Sequence, residues 1–200
     1  MENKAKIILD LCGGTGSWSK PYAEAGYDVR LVTLPENDVC LYSPPENVYG
    51  VLAAPPCTKF SLAKGGRERD FEGAMEIVSA CMKIIWKCRI RGSLKFWALE
   101  NPRGFLRQFL GKPAFKFEHW QFGDLQIKPT DLWGYFNEPR VRVHERPPAL
   151  AVIIPNGRSN GRGWSNPVCP PEHANKGLGR ADIRAITPPG FARAFYEANR

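Results

Sequence analysis

The feature that most limits what this chain can fold into is the run Ile7-Ile8-Leu9-Asp10-Leu11, followed at once by Cys12-Gly13-Gly14-Thr15-Gly16. A short, nearly continuous apolar run is the pattern of a central parallel strand covered on both faces, because such a strand has no solvent side for polar residues to mark. The glycines after it accept positive φ and let the backbone approach a ligand closely, since no Cβ stands in the way. Ser17 to Ala25 then has helix-forming composition, with Pro21 in its first turns and Gly26 as its stop. Strand, glycine turn and helix in this order open a βαβ unit, and a nucleotide-like cofactor is the kind of group such a turn receives.

The pattern continues down the chain. Val29 to Leu34 reads as a second strand and Val48 to Ala53 as a third, so the sheet is expected to be parallel and flanked by helices. From Phe71 to Arg89 apolar residues recur at Met75, Val78, Met82, Ile85 and Trp86, which predicts a helix packed on the sheet through that face. Phe96 to Leu99 is the next strand, with Asn101-Pro102-Arg103-Gly104 turning away from it. Phe115, Phe117, Trp120 and Phe122 fit one extended strand or two short ones. Beyond Asn137, prolines and glycines break the chain into loops apart from a strand candidate at Ala149 to Ile154. Thr187-Pro188-Pro189 then reads as the start of a closing helix over Gly190 to Asn199. The expected fold is α/β, with a doubly wound, mostly parallel, Rossmann-like sheet.

With 200 residues and 43% hydrophobic content the chain can bury one substantial core and has room only for a small appendage. No apolar stretch reaches the length of a membrane span and the N-terminus lacks the apolar core of a secretory signal, so a soluble, cytoplasmic protein is expected. Six cysteines, at positions 12, 40, 57, 81, 88 and 169, show no C-x-x-C spacing and are expected to be reduced. Cys169 and His173 have the spacing of half a zinc site, but no second ligand pair stands nearby and no metal is expected.

Charge is unevenly spread. Residues 1 to 57 carry a formal −3, residues 58 to 116 carry +8 and residues 128 to 200 carry +5. A polyanion that meets the chain from Cys57 onward accounts for this distribution through phosphate neutralisation, and a solvated surface that keeps the protein in solution accounts for it equally.

Two residues carry candidate chemistry. Cys57, in Ala54-Pro55-Pro56-Cys57, follows the third strand, and Glu100, in Ala98-Leu99-Glu100-Asn101-Pro102, follows the fourth about forty residues on. A thiol and a carboxyl at the ends of two strands suggest covalent catalysis. Thiolate, not thiol, is the nucleophile, so Cys57 is expected to have a lowered pKa, from a helix N-terminus or from Lys59, Lys64 or Arg67. A buried structural cysteine and a surface glutamate are the plainer alternatives.

The glycine turn, the Pro-Pro-Cys and the downstream Glu-Asn-Pro, in this order and spacing, resemble the DNA cytosine-5 methyltransferases, in a short, phage-like branch. The resemblance covers residues 7 to 136 and the C-terminal segment. It implies S-adenosylmethionine as cofactor and methylation of carbon 5 of a cytosine flipped out of DNA, in a bacterial or phage-infected cell. It implies that Cys57 adds to carbon 6, that Glu100 hydrogen-bonds ring nitrogen 3 and the exocyclic amine, and that Pro56 and Asn101 shape the catalytic loops. For the cofactor it implies Asp10, Cys12, Gly14, Thr15, Gly16, Trp18, Asp38 and Pro55, with Trp18 against the adenine. Asp10 as a turn residue, Trp18 as a core residue and Asp38 as a loop acid remain open.

For nucleic acid the resemblance points to Lys59, Ser61, Lys128, Thr130, Arg140 and Arg162. Arg142 stands in reserve, and the glycine-interleaved Arg158, Trp164, Lys176 and Arg180 are suited to phosphate contact and stacking. Three departures stand out. Thr33-Leu34-Pro35-Glu36 offers only Glu36 where the family has a ribose-binding acid. Lys128 to Gly134 replaces a Gln-x-Arg-x-Arg clamp, and Ala185 to Phe191 lacks the family's asparagine turn. The implied organisation is a cofactor-binding catalytic core at 1–136, a small target-recognition region at 137–184 and a closing helix at 185–200. The short recognition region leaves RNA or a pyrimidine nucleotide as alternative substrates, and the departures leave a non-catalytic nucleic-acid-binding relative as a third reading.

Overall fold

The computed structural model describes residues 2–62, 68–124, 127–148, 173 and 177–200. Its strands are β1 (Ile7–Leu11), β2 (Asp28–Val32), β3 (Val48–Ala53), β4 (Phe96–Pro102), β5 (Phe115–Glu118) and β6 (Pro129–Tyr135). Its α-helices are α1 (Lys20–Glu24), α2 (Phe71–Ile90), α3 (Leu106–Leu110), α4 (Arg180–Ala185) and α5 (Pro189–Ala198).

The strands form one sheet in the order β2-β1-β3-β4-β6-β5. β1 pairs in parallel with β2 and β3, and β3 with β4. β6 pairs antiparallel with both β4 and β5. Among the described residues five strands therefore point one way and β6 alone is reversed. The protein is an α/β fold with a mixed, mostly parallel sheet, compatible with a Rossmann-like arrangement.

Alternation along the central strands sorts side chains onto two faces. Leu9, Leu11, Val51, Ala53 and Leu99 join the layer under α2, with Val78, Cys81, Ile84, Ile85 and Cys88 of that helix. Ile8, Leu52 and Ala98 join the opposite layer with Trp18, Tyr22, Phe191 and Phe195 from the α1 and α5 side. Full burial of side chains of this size contributes about 1.5–3 kcal/mol each. In the second layer Phe117 stacks on Phe191 at 4.2 Å between centroids, which seats α5 on β5.

Several elements differ from expectation. β4 runs on through Glu100, Asn101 and Pro102 because β6 supplies a ladder opposite those residues. β6 itself has no clear signal in the sequence, since Pro129, Asp131 and Gly134 read as loop residues. Phe115 to Phe122 is one short strand followed by a 3-10 turn at His119–Phe122. The buried face of α2 is rotated from the predicted one, leaving Trp86 65% exposed. α1 is shorter than its sequence suggested, because residues 14–19 form turns rather than helix. The strand candidate at 149–154 lies outside the described residues.

Helix ends are secured by acids. Asp70 caps α2 through a bond from the Gly73 amide to its side chain at 2.8 Å. Asp124 does the same for α5 from a distance in sequence, accepting from the amides of Gly190 and Phe191 at 3.2 and 3.3 Å.

Candidate active site

Parallel strands present their carboxyl ends on one edge of the sheet, and β3 and β4 end side by side, with Ala53 opposite Leu99. Cys57 follows β3 by four residues, and Glu100 is the next residue of β4 after Leu99. Two connections hold the loop after β3 against the region after β4. The fully buried Asn101 donates its side-chain amide to the Pro55 carbonyl at 3.0 Å, and the Phe105 amide donates to the Phe60 carbonyl at 2.9 Å. Gly104 is required there, since a Cβ would lie 2.2 Å from the Phe60 carbonyl oxygen. The Cys57 carbonyl receives the amides of Phe60 and Ser61 at 3.0 and 2.8 Å, closing a tight turn. Arg69 fastens that turn from outside, donating to the carbonyls of Lys59 and Ser61 at 2.6 and 3.0 Å while its guanidinium lies 4.8 Å from the Phe105 ring centre.

One cation serves both candidate groups. Lys128 Nζ lies 3.8 Å from Glu100 Oε1 and donates to the Arg184 carbonyl at 3.0 Å. The Glu100 side chain keeps only 16% of its surface exposed. Burial pushes its carboxyl up from the ordinary 4.5, the charge of Lys128 opposes this, and Asp131 adds to it. Burial also pushes the Cys57 thiol up from 9.0, with Lys128 and Arg184 pulling it down and Glu100 pushing it further up. The expected lowering of the Cys57 pKa is therefore corrected, because desolvation outweighs the nearby cations. Those cations are Lys128 and Arg184 rather than Lys59, and Lys64 and Arg67 lie outside the described residues.

Thr130, expected to offer a hydroxyl to nucleic acid, is instead buried in β6. Its Oγ1 contacts His119 Nε2 at 3.2 Å and donates to the Lys128 carbonyl at 3.0 Å, so it supports the lysine. The next residue, buried Asp131, receives a two-pronged bond from Arg107 at 2.6 and 2.5 Å. Sequence reasoning passed over Arg107, Asp131 and Arg184, because only the β4–β6 ladder and the placement of α4 bring them to this site.

The glycine turn forms as predicted in outline. Cys12, Gly14 and Gly16 have φ of 56°, 54° and 71°. Gly14 is exposed, and a Cβ there would meet nothing within 4 Å, so open space lies over the turn. Asp10, expected as a cofactor contact, is 0% exposed beneath the turn and accepts from Ser19 Oγ at 2.6 Å. Gly13 closes over it, since a Cβ there would lie 2.4 Å from the Asp10 carboxyl carbon. Burial raises the Asp10 carboxyl to about 6. Trp18, expected against an adenine, is 2% exposed and packs on Phe191 and Phe195 at 5.9 and 5.4 Å. Asp10 supports the turn from below, and Trp18 belongs to the core layer packed against α5.

Cys12 packs against the α2 layer with its thiol hydrogen-bonded to that of Cys81. Thr15 Oγ1 and Ser17 Oγ lie 2.6 Å apart, and Ser17 meets His173 Nε2 at 3.2 Å at the rim of a pocket of about 120 Å³. Asp38 and Glu36 are exposed, and Asp38 accepts from the Cys40 amide at 2.8 Å. An open turn with positive-φ glycines and a nearby exposed carboxylate fits a nucleotide-like group with hydroxyls.

The remaining candidates scatter. Pro55 is buried and Pro56 exposed beside Cys57. Lys59 and Ser61 are half-buried on the same loop, while Arg140 is exposed after β6. Arg142 pairs with Glu197 at 2.9 Å. Arg158, Arg162, Trp164, Cys169 and Lys176 lie outside the described residues. Among the described residues no cluster of three metal-ligating side chains occurs, and no helix is long and apolar enough to cross a membrane. No protein-family model matches the chain, and the comparison with curated proteins finds no match.

Proposed function

We propose that this protein methylates carbon 5 of cytosine in DNA through a covalent adduct with Cys57, using S-adenosylmethionine. The observation that carries the reading is the convergence of Cys57 and Glu100 at adjacent strand ends around the charge of Lys128.

Carbon 5 of cytosine is a poor nucleophile until a group adds at carbon 6. In the proposed step the Cys57 sulfur lone pair forms the bond to carbon 6 and the ring electrons shift toward carbon 5 and nitrogen 3. Glu100, held toward its protonated form by burial, places a proton at nitrogen 3 and neutralises the charge that builds there. The site needs one proton for both tasks. Thiol with carboxylate and thiolate with carboxylic acid differ only in where that proton sits, and the charge of Lys128 acts on both groups. When bound over the glycine turn, S-adenosylmethionine supplies an electrophilic methyl group. Water then takes the carbon-5 proton, the sulfur departs with its electron pair and nitrogen 3 returns its proton to Glu100, which restores the ring and frees Cys57. A base inside a duplex lies out of reach of both side chains, so the target must leave the stack, at a cost of a few kcal/mol.

Duplex DNA containing 5-fluorocytosine tests this reading, because fluorine at carbon 5 blocks the elimination. Incubation with S-adenosylmethionine is expected to give an adduct stable to denaturing electrophoresis, absent in Cys57→Ala and strongly reduced in Glu100→Gln. An adduct with fluorinated RNA but not with DNA, or none with either at any cofactor concentration, overturns it.

A further inference from the structure

α2 presents to solvent a stripe that is its own complement. Glu72, Glu76, Lys83, Trp86, Lys87 and Ile90 are all exposed and, at 3.6 residues per turn, fall within about 100° of arc. They lie opposite the face that Val78, Cys81, Ile84, Ile85 and Cys88 bury. Trp86 and Ile90 are 65% and 66% exposed, large apolar surfaces to leave in water on the longest helix among the described residues.

The charges on this stripe are segregated. Glu72 and Glu76 are four residues apart in the first half, and Lys83 and Lys87 are four residues apart in the second. Each spacing places like charges side by side, which disfavours the isolated helix. Glu76 and Lys83, two turns apart, do not relieve each other.

The spacing is symmetric about the point midway between Ser79 and Ala80. Glu76 and Lys83 each stand three and a half residues from it, and Glu72 and Lys87 seven and a half, which is about 5 and 11 Å along the axis. A second α2 laid antiparallel across a two-fold axis at that point sets Glu76 against Lys83 and Glu72 against Lys87, twice over. A two-fold interface requires this reciprocity, in which each residue meets the residue that meets it in return.

We propose that a second copy of this chain docks on this face, forming a two-fold dimer through antiparallel α2 helices. A shallow crossing angle of about 20° keeps the outer pairs within reach. One helix face is a small interface, so the association is expected in the micromolar range and weakens as salt screens the pairs.

The test is sedimentation equilibrium of the full chain from about 1 to 200 μM, a range that brackets such a Kd. Wild type is expected to dimerise. Glu72→Lys/Glu76→Lys and Lys83→Glu/Lys87→Glu are each expected to be monomeric, and their equimolar mixture to dimerise again. Trp86→Ala is expected to raise the Kd about tenfold or more. The acids at the start of α2 and the bases at its end also suit the helix dipole, but that role is confined to one copy and gives no rescue on mixing. A wild type monomeric across the whole range overturns the proposal, as does a dimer indifferent to both double variants. A mixture that stays monomeric overturns it as well. Should either double variant fail to fold, the fourfold swap Glu72→Lys/Glu76→Lys/Lys83→Glu/Lys87→Glu decides alone, since it restores every pair. A folded but monomeric swap in place of the expected dimer is equally fatal.

Discussion

Asn101 donates its side-chain amide to the carbonyl of Pro55 at 3.0 Å, fastening the Cys57 loop to the strand that carries Glu100. Both groups are buried, so Asn101→Ala leaves an unpaired carbonyl and a cavity, for about 2–3 kcal/mol of lost stability. The same change frees the loop. Urea denaturation should show the loss, and labelling of the Cys57 peptide by a thiol reagent should be faster than in wild type. Unchanged labelling would mean that the loop is held elsewhere.

Arg107 is the hydrogen-bonded counter-ion of buried Asp131. Arg107→Met strands a carboxylate in the interior and should cost about 3 kcal/mol or more, whereas Arg107→Met combined with Asp131→Asn should recover part of that loss. A double-mutant cycle by chemical denaturation measures the coupling. Additive effects would show that the pair does not act as a unit.

The reactivity of Cys57 should report its neighbours. Burial holds the thiol above 9.0, so the rate of alkylation by iodoacetamide, followed on the Cys57 peptide by mass spectrometry, should still be rising above pH 9. Lys128→Met removes the leading cation and should move the midpoint higher. Glu100→Gln removes a repelling carboxylate and should move it lower. Shifts of the opposite sign would place these side chains away from the sulfur.

Asp10 makes stability depend on pH in a defined direction. Its carboxyl moves from an ordinary 3.8 to about 6 in the fold, so the native state favours the protonated form. Its contribution is full below pH 3.8 and is lost as pH rises through about 6. The gap corresponds to about 3 kcal/mol as an upper bound. Relative to wild type, Asp10→Asn should therefore gain stability between about pH 4 and pH 7, read by urea denaturation at each pH. A difference that does not change with pH would show that Asp10 titrates normally.

Local pattern was legible in the chain. β1, β2, β3 and α2 follow from apolar periodicity, and the positive-φ turn at residues 12–16 follows from its glycines, because those signals concern what each segment buries and which φ values it needs. β6 was not legible, since a strand carrying Pro129, Asp131 and Gly134 owes its existence to partners on both sides. Its polar residues are satisfied by Arg107, His119 and the Lys128 carbonyl, none of which is marked in the local sequence.

The candidate site divides in the same way. Sequence by itself determined that a thiol follows one strand of an α/β sheet and that a carboxyl stands in the last part of another, because position along a strand is a matter of chain order. Only the tertiary structure decided that Lys128 would pair with Glu100 and its charge act on Cys57, that Thr130 would support that lysine from within, and that Asp10 would lie beneath the glycine turn and Trp18 in the core. The physical reason is desolvation. Whether a polar side chain faces a ligand or holds up the backbone, and which way its proton equilibrium moves, depends on what is packed around it, and those neighbours come from segments far apart in the chain.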